Sequence, residues 1–289
     1  MCVCTFRRPS LWETLVSLKG QEGAPSFRVI VADNDDEPSA QSVVHRAEHE
    51  LGLRITHVHA PARNISVARN ACLEASTADL VAFIDDDEAA PPQWLARLVD
   101  HQRQSNADVV FGPVKAVYDP DAPSWVVEGD FHSSQPVVRA NGVIETGYSG
   151  NALMRRAIIG GRRFGLALGK TGGEDTFFFA ELFKAGAKLD YCEAALVYET
   201  TPLARASLDW LVRRAFRSGQ THARVLRANG AWPIVIAAPA AAKALYSGLV
   251  AAAAFDGVKR RRSWIRAALH AGVFAKAFGV SDLRIYGAR

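Results

Sequence analysis

The sequence predicts an α/β protein, a mixed and mostly parallel sheet flanked by helices, with a basic, apolar helical extension at its C-terminal end. Three observations lead there. From residue 1 to about 113, short β-branched runs alternate with helix-length segments, the rhythm of strands joined by crossover helices. The 289 residues are 49% apolar and 22% charged, with a mean hydropathy of -0.01. Such a chain buries a core in one or two domains, and disorder, collagen and a disulfide miniprotein are excluded. Charge is also divided: residues 1–200 hold 19 basic and 27 acidic side chains, a net of −8, whereas residues 201–289 hold 15 basic and 3 acidic, a net of +12. A basic tail on an acidic body points to a polyanionic partner: phosphate, nucleic acid or an anionic membrane face.

The elements follow in order. Strands are expected at Met1 to Thr5, Arg28 to Ala32, Arg54 to His59, Leu80 to Ile84 and Val109 to Phe111. Helices start near Ser10, Ser39, Ser66 and Pro92, the first two with Ser as N-cap and the last with proline in its first turn. Residues 114–147 lose the rhythm and carry Pro113, Pro120, Pro123 and Pro136 around them, reading as a long loop or lid with short strands. Strand character returns at Gly147 to Met154. A helix follows from Glu174 to Ala185, and a last strand from Leu189 to Tyr198 closes the domain. Beyond Pro202 the chain turns helical, basic and alanine-rich.

Cys2, Cys4, Cys72 and Cys192 have neither CxxC spacing nor disulfide density, so they are expected to be reduced and mostly buried. The opening Met1-Cys-Val-Cys-Thr-Phe has no basic segment ahead of an apolar run. No secretory signal is therefore expected, and the chemistry is placed in the cytoplasm.

Active residues of such a fold are expected at the carboxyl ends of strands. Leu80-Val-Ala-Phe-Ile delivers Asp85, Asp86, Asp87 and Glu88 at one strand end. Adjacent carboxylates repel one another unless a cation neutralises them, and hard oxygen donors suit Mg2+ or Mn2+ bridging to a substrate diphosphate. A solvated acidic turn ahead of the Pro92 helix would carry the same residues. Val29-Ile-Val-Ala delivers Asp33, which can accept from a uracil-like N3–H or a ribose hydroxyl, or simply form a turn. Thr5-Phe-Arg-Arg-Pro after the first strand is a nucleotide-binding loop or a turn. Glu174 and Asp175 open a helix behind Gly172-Gly173. They either complement the helix dipole or place a carboxylate to take a proton from an attacking hydroxyl.

Thr5-Phe-Arg-Arg-Pro, Val-Ala-Asp-Asn-Asp, Ser66-Val-Ala-Arg-Asn, Phe83-Ile-Asp-Asp-Asp-Glu, Gly150-Asn-Ala-Leu-Met-Arg-Arg and Gly172-Gly-Glu-Asp-Thr occur in order and span roughly residues 1–220. This series resembles family 2 glycosyltransferases with the Rossmann-like GT-A fold, most of all bacterial exopolysaccharide enzymes of the succinoglycan type. The segment from Arg213 to His222 is similar as well. The resemblance implies an inverting, metal-dependent transfer of a sugar, with glucose as the expected one, from a UDP-sugar to a hydroxyl of a polyprenyl-diphosphate-linked oligosaccharide. It implies that Thr5, Arg8 and Asp33 hold the nucleoside end, with Arg69 near the base or phosphates. Asp85 and Asp86 would face the ribose and sugar, and Asp87, the last aspartate of a DxD-like element, would bind Mg2+ or Mn2+; which two of the three form the DxD stays open. Asp175 would be the general base, and Glu174 would position the acceptor or support the base. A catalytic domain at 1–204 and a membrane-associating region at 205–289 follow.

In that tail, Trp232 to Phe255 is an apolar run interrupted by Pro233, Pro239 and Lys243, followed by Lys259-Arg-Arg-Arg and a second apolar stretch from Trp264 to Val280. A clean membrane span is not expected, because a charge sits in the middle of the run. Interfacial docking on anionic lipid or a re-entrant segment beside the polybasic cluster fits better, peripheral or shallowly inserted at the cytoplasmic face of the inner membrane. A helical subdomain with a solvated basic face is the other reading. Arg213, Arg214 and Arg217 are candidates for binding a diphosphate. A sugar-1-phosphate nucleotidyltransferase would need a glycine-rich loop where Thr5 to Pro9 stands. A non-catalytic polyanion binder is a more distant alternative, and no nucleic-acid partner is expected because few aromatics interleave with the basic residues.

Overall fold

The structure, a computed structural model, describes residues 1–283; residues 284–289 of the expected tail region lie outside those described. Contacts divide the chain into two compact units. The first comprises residues 1–117, 133–170 and 174–200; the second comprises 118–132, 171–173 and everything from residue 201.

The first unit opens with β1 (Cys2–Thr5), α1 (Leu11–Lys19), β2 (Val29–Asp33), α2 (Gln41–Leu51), β3 (Ile55–His59), α3 (Ile65–Ala75) and β4 (Leu80–Ile84). It continues with β5 (Glu88–Ala89), α4 (Trp94–Ser105), β6 (Val109–Phe111) and β7 (Val114–Tyr118). A short α5 (Ser124–Gly129) belongs to the second unit. The order then runs β8 (Asn151–Arg155), α6 (Arg156–Ile159), α7 (Glu174–Lys184), β9 (Leu189–Tyr191) and β10 (Val197–Thr201). Seven strands form one sheet in the order β3-β2-β1-β4-β8-β6-β9, and β5-β10-β7 make a second, three-stranded sheet. Strands β3, β2, β1 and β4 run parallel to one another, and β8 runs antiparallel between β4 and β6. The fold class is the one the strand rhythm predicts.

Period-two alternation divides the strand side chains between two cores. Val3, Val29, Val31, Ala82, Ile84, Val110 and Leu153 face α1, α2 and α4, where Leu11, Leu15, Val44, Trp94 and Leu98 meet them. Cys2, Cys4, Ile30, Val81, Phe83, Val109, Phe111 and Met154 face the other way, toward Ala68 and Cys72 of α3 and Phe178, Phe179 and Leu182 of α7. Phe164 stacks on Phe178 with centroids 4.0 Å apart, and Phe111 meets Phe179 edge-on at 4.7 Å. All four cysteines are buried and free.

Several boundaries differ from the sequence expectation, each for a local reason. Ser10 precedes α1 but makes no side-chain cap, and α2 is capped from a distance: Ala40 N donates to Asp33 Oδ2 at 2.7 Å, while Ser39 reaches Asp33 Oδ1 at 3.5 Å. α3 begins at Ile65, beside its expected start, and Asn64 caps it, accepting from Ser66 N at 3.0 Å. The expected single strand from Leu189 to Tyr198 is two strands in two sheets, because the chain turns at Cys192–Ala195. The expected loop over 114–147 contains β7 and α5 and two isolated bridges, Val114 with Ser134 and Val138 with Ile144.

Asn151 is the polar hub of the first unit. Its Oδ1 accepts from Trp94 Nε1 at 2.9 Å, and its Nδ2 donates to the carbonyls of Ala195 and Pro113 at 2.7 and 3.0 Å.

In the second unit, α8 (Leu208–Ala228), α9 (Pro233–Ala253) and α10 (Gly257–Ala277) follow a short 3-10 turn at Leu203–Arg205. Ser207 caps α8 and Asp256 caps α10. Gly219 and Gly272 let α8 and α10 touch: a Cβ on either would meet the partner helix backbone at 1.9 Å. Lys276, which shares a side with Ile265 and Leu269, pairs with Asp282 at 2.9 Å, and Arg224 pairs with the same carboxylate. Arg261 lies over Trp125 and Arg262 over Phe131, with Arg262 donating to Gly129 O at 2.8 Å. Half of the Lys259–Arg262 cluster is thus committed to packing. His132 is buried against Trp210, with centroids 5.3 Å apart. Its Nε2 donates to Arg205 O at 3.1 Å and its Nδ1 faces Tyr118 Oη at 3.2 Å.

Asn151→Ala strands the Trp94 indole N–H and the Ala195 carbonyl, while the Pro113 carbonyl keeps its bond from Val197 N, so it should cost about 2 kcal/mol or more, read as a lower urea midpoint with an unchanged slope. Burial, and then Arg214, lower His132 to about 4 from 6.5. Stability is therefore unaffected by this group above about pH 6.5 and falls as pH drops toward 4, by up to about 3 kcal/mol, because the unfolded chain takes up the proton first. Denaturant titrations across that range should show the acid-side slope shrink in His132→Gln.

Candidate active site

Because β1, β2 and β4 are parallel, their carboxyl ends share one edge of the sheet, and strand order reverses between β1 and β4. Open α/β sheets leave a crevice there. After Thr5 the backbone turns through Arg7 in the left-handed region, φ 53°. Arg7 Nε donates to Asp35 Oδ2 at 2.7 Å, and Arg8 leans over Asp86 and Asp87 at 4.0 and 3.6 Å. Asp33 differs from its expected place at a nucleoside: it is fully buried, and its oxygens accept from Ala40 N, Asp35 N and Ser39. Its carboxylate holds the α2 turn from inside, while the exposed Arg7 pairs with Asp35 two residues on. Asn34 extends the brace, donating to Ala60 O at 2.7 Å and accepting from Asn64 N, the cap of α3.

The turn after β4 is closed from both sides. Glu88 N donates to Asp85 O at 3.2 Å, and Asp85 N donates to Glu88 Oε2 at 2.9 Å. Glu88 is itself anchored, since Thr14 Oγ1 donates to its carbonyl at 2.7 Å and its residue pairs with Glu199 in the small sheet. A Cβ at position 150 would lie 2.7 Å from Glu88 Oε1 and 3.0 Å from Asp85 Oδ2, so only Gly150 admits these carboxylates. Burial pushes the Asp86 carboxyl up to about 7, against the pull of a Thr5 hydrogen bond and with Asp87 adding to the rise. Burial, with Asp85 adding, also holds Glu88 well above the usual carboxylate range.

Across from this turn, α3 projects Arg69 and the first turn of α7 projects Glu174, both buried. Arg69 Nη1 donates to Glu174 Oε1, and its Nη2 lies 3.8 Å from Asp85 Oδ1. Burial opposes the Arg69 charge, but Glu174, Asp85 and Asp175 outweigh it and keep the guanidinium firmly protonated. Burial raises Glu174, Arg69 opposing. Its second oxygen, Oε2, has no hydrogen-bond partner among the described residues. Asp175 is half-buried beside it, with Oδ1 accepting from Thr176 N at 2.6 Å. The structure therefore brings Thr5, Arg8, Arg69, Asp85, Asp86, Asp87, Glu174 and Asp175 into the first unit's strand-end region. The roles of Glu88, Gly150, Asn34 and Asn64 as braces were not read from sequence; a glycine opening a buried strand was the one available signal.

Among the described residues no group of three or more His, Cys, Asp and Glu is arranged to hold a metal ion by itself. Mg2+ and Mn2+ are commonly held by one or two carboxylates together with substrate phosphates. The oxygen donors of Asp85 to Asp87 have the chemistry for this.

The three tail arginines sit on α8 of the second unit. Arg213 pairs with Asp209 at 3.0 Å, the Arg214 guanidinium lies 5.4 Å from the Trp210 ring centroid, and Arg217 Nη1 donates to Thr171 O at 2.8 Å. Gly172 and Gly173, at φ 84° and 93°, turn the chain against Arg217 and Thr221. The expected diphosphate-binding trio thus divides: Arg217 braces the turn that precedes Glu174 in sequence, and Arg214 stacks on an indole.

Residues 1–161 match the model of Glycosyl transferase family 2. Over 99% of its length the chain is 48% identical to the succinoglycan biosynthesis protein ExoM of Rhizobium meliloti (strain 1021), covering 95% of that protein. Its backbone resembles the mannosyltransferase PcManGT of Pyrobaculum calidifontis, solved with GDP-Man and Mn2+. The TM-score is 0.63 at 20% identity, over 95% of this chain and 85% of that one. It also resembles S. aureus TarS 1-349, solved with UDP-GlcNAc, at a TM-score of 0.55 and 19% identity, over 96% and 91% of the two chains. The sheet order, the carboxylates at its strand ends and this near-full-length likeness agree: the protein has the GT-A fold and belongs to glycosyl transferase family 2.

Proposed function

We propose that this protein moves a sugar, glucose, from UDP-glucose to a hydroxyl of a polyprenyl-diphosphate-linked oligosaccharide during exopolysaccharide assembly, inverting the anomeric configuration. The observation that carries the reading is the gathering of Asp85, Asp87, Arg69, Glu174 and Asp175 at the strand ends, in a chain so similar to a succinoglycan biosynthesis protein. Thr5 and Asp33, both buried, shape the loop for the nucleoside end, and the more exposed Arg8 faces it. Asp86 and Asp85 border the ribose and sugar, and Asp87 is the carboxylate that would hold Mg2+ or Mn2+. When bound, that ion offsets charge growing on the departing diphosphate.

Asp175 takes the proton of the acceptor hydroxyl as that oxygen attacks the anomeric carbon. The bond from that carbon to the diphosphate oxygen breaks, its electron pair leaves with UDP, and a single displacement inverts the centre. Arg69 serves this step indirectly, by holding Glu174 and Asp85 in one cluster. Arg213, Arg214 and Arg217 are proposed to meet a diphosphate, and the basic tail to meet an anionic membrane at the cytoplasmic face of the inner membrane, where a polyprenyl acceptor resides.

With UDP-glucose, Mn2+ and a lipid-linked oligosaccharide extract, Asp175→Asn should lower transfer about 10²–10⁴-fold while UDP binding by calorimetry stays near wild type. Asp87→Ala should lose Mn2+-dependent UDP-glucose hydrolysis; full activity in either variant refutes the assignment. Arg214→Ala and Arg217→Ala should each raise the KM for donor or acceptor, and unchanged constants in both would remove these arginines from the substrate.

A further inference from the structure

α9 is inverted relative to an ordinary surface helix. Its buried seam is narrow, Ile236 followed by the small residues Ala237, Ala240, Ser247 and Ala251. The rest of its circumference is apolar yet open: Leu245, Tyr246 and Leu249 are 67%, 69% and 62% exposed. Trp232 ahead of it and Phe255 behind it are exposed as well. Pro239 lies within the helix without ending it, and the 21 residues of Pro233–Ala253 are long and apolar enough to cross a bilayer. A solvent-facing helix would carry polar residues on that side.

We infer that α9 lies flat in the interface of an anionic phospholipid bilayer, outward face down, rather than crossing it; this deepens, and rests on, the reading of the protein as a membrane-acting glycosyltransferase. The packing of the second unit argues against a span. α10 packs along both α9 and α8, whereas α8 and α9 have little contact. A transbilayer α9 would draw α10 in with it, together with Arg266 in that helix, and would bring Arg213, Arg214, Arg224 and Arg227 of α8 alongside. Charges within the hydrocarbon are costly unless they are paired or face water. Lying in-plane leaves α8 in water and submerges only the open face of α9. At 100° per residue Lys243 falls on the flank of that face rather than at its centre, where its stem can lift the ammonium to the headgroups.

Charge decides between lipid and a second copy of the chain. From residue 229 to 283 the only acids are Asp256, which caps α10, and Asp282, which pairs with Lys276 and Arg224. Lys243 of α9 and Lys259, Arg260 and Arg266 of the adjoining α10 are exposed. Two such faces would repel each other, whereas anionic headgroups complement them.

The full chain should float with vesicles of phosphatidylcholine and phosphatidylglycerol at least about tenfold more strongly than with phosphatidylcholine alone. The double variant Leu245→Glu, Leu249→Glu should lose that binding while keeping wild-type UDP-glucose hydrolysis and melting temperature. Nitroxide labels at Val235→Cys, Leu245→Cys and Leu249→Cys should report one shallow depth. Equal flotation of the variant and wild type overturns the inference. So do a deep label at 245 between shallower ones, which would mean a span, and a dimer that the double variant dissolves without any vesicle binding. Hydrolysis measured without vesicles tests the donor site separately, so a failed catalytic reading is distinguishable from a failed membrane one.

Discussion

The buried guanidinium of Arg69 is the interaction on which the strand-end arrangement of carboxylates depends. It is supplied by α3 and ties together Glu174 of α7 and Asp85 after β4, two carboxylates more than 80 residues apart in the chain. Without a buried positive charge, carboxylates from two elements would repel as they converged, and burial would protonate them. Removing charge from water is costly, so such a pair adds little net stability. Its consequence is positional: α7 must begin beside the acidic turn, which sets Asp175 next to Asp85.

Around that charge, polar groups with short reach hold the loops. Asp33 caps α2 from the end of β2, Asn34 reaches from the same strand end to the cap of α3, and Glu88 closes the turn that carries Asp85. Each of these side chains is buried and bonded to main chain, so each fixes a loop path rather than offering a surface. Gly150 works by omission, leaving room for Glu88 and Asp85 where any side chain would intrude. Crowded acids at a strand end are thereby kept in one arrangement, with Asp85, Asp86 and Glu88 raised in proton affinity by burial.

The helical unit follows a different logic. Its glycines, Gly219 and Gly272, bring α8 and α10 into backbone contact, and its arginines divide between packing and surface. Arg261 and Arg262 lie over Trp125 and Phe131, contacts that a count of basic residues could not reveal. The apolar run that looked compromised as a span, because of Pro239 and Lys243, is nonetheless one continuous helix.

Much of the fold was legible because it depends on local pattern. β4 lies where its apolar run lies, β1 to β3 fall within a residue or two of their expected ends, and the acidic triplet and Glu174-Asp175 stand out without any coordinates. What stayed hidden depends on residues distant in sequence. Nothing near Leu189 to Tyr198 announces that it divides between two sheets, and nothing near Ser39 announces that the cap of α2 comes from Asp33. Asp33 shows the limit most plainly: its residue type suits a nucleoside, but its accessibility does not. By itself the sequence determined the fold class, the family resemblance and the residues whose charges must be answered, because periodicity and residue chemistry are properties of short segments. Only the tertiary structure decided which of those charges answer one another, which face inward, and that the open side of α9 is apolar, because burial is a property of packing between elements.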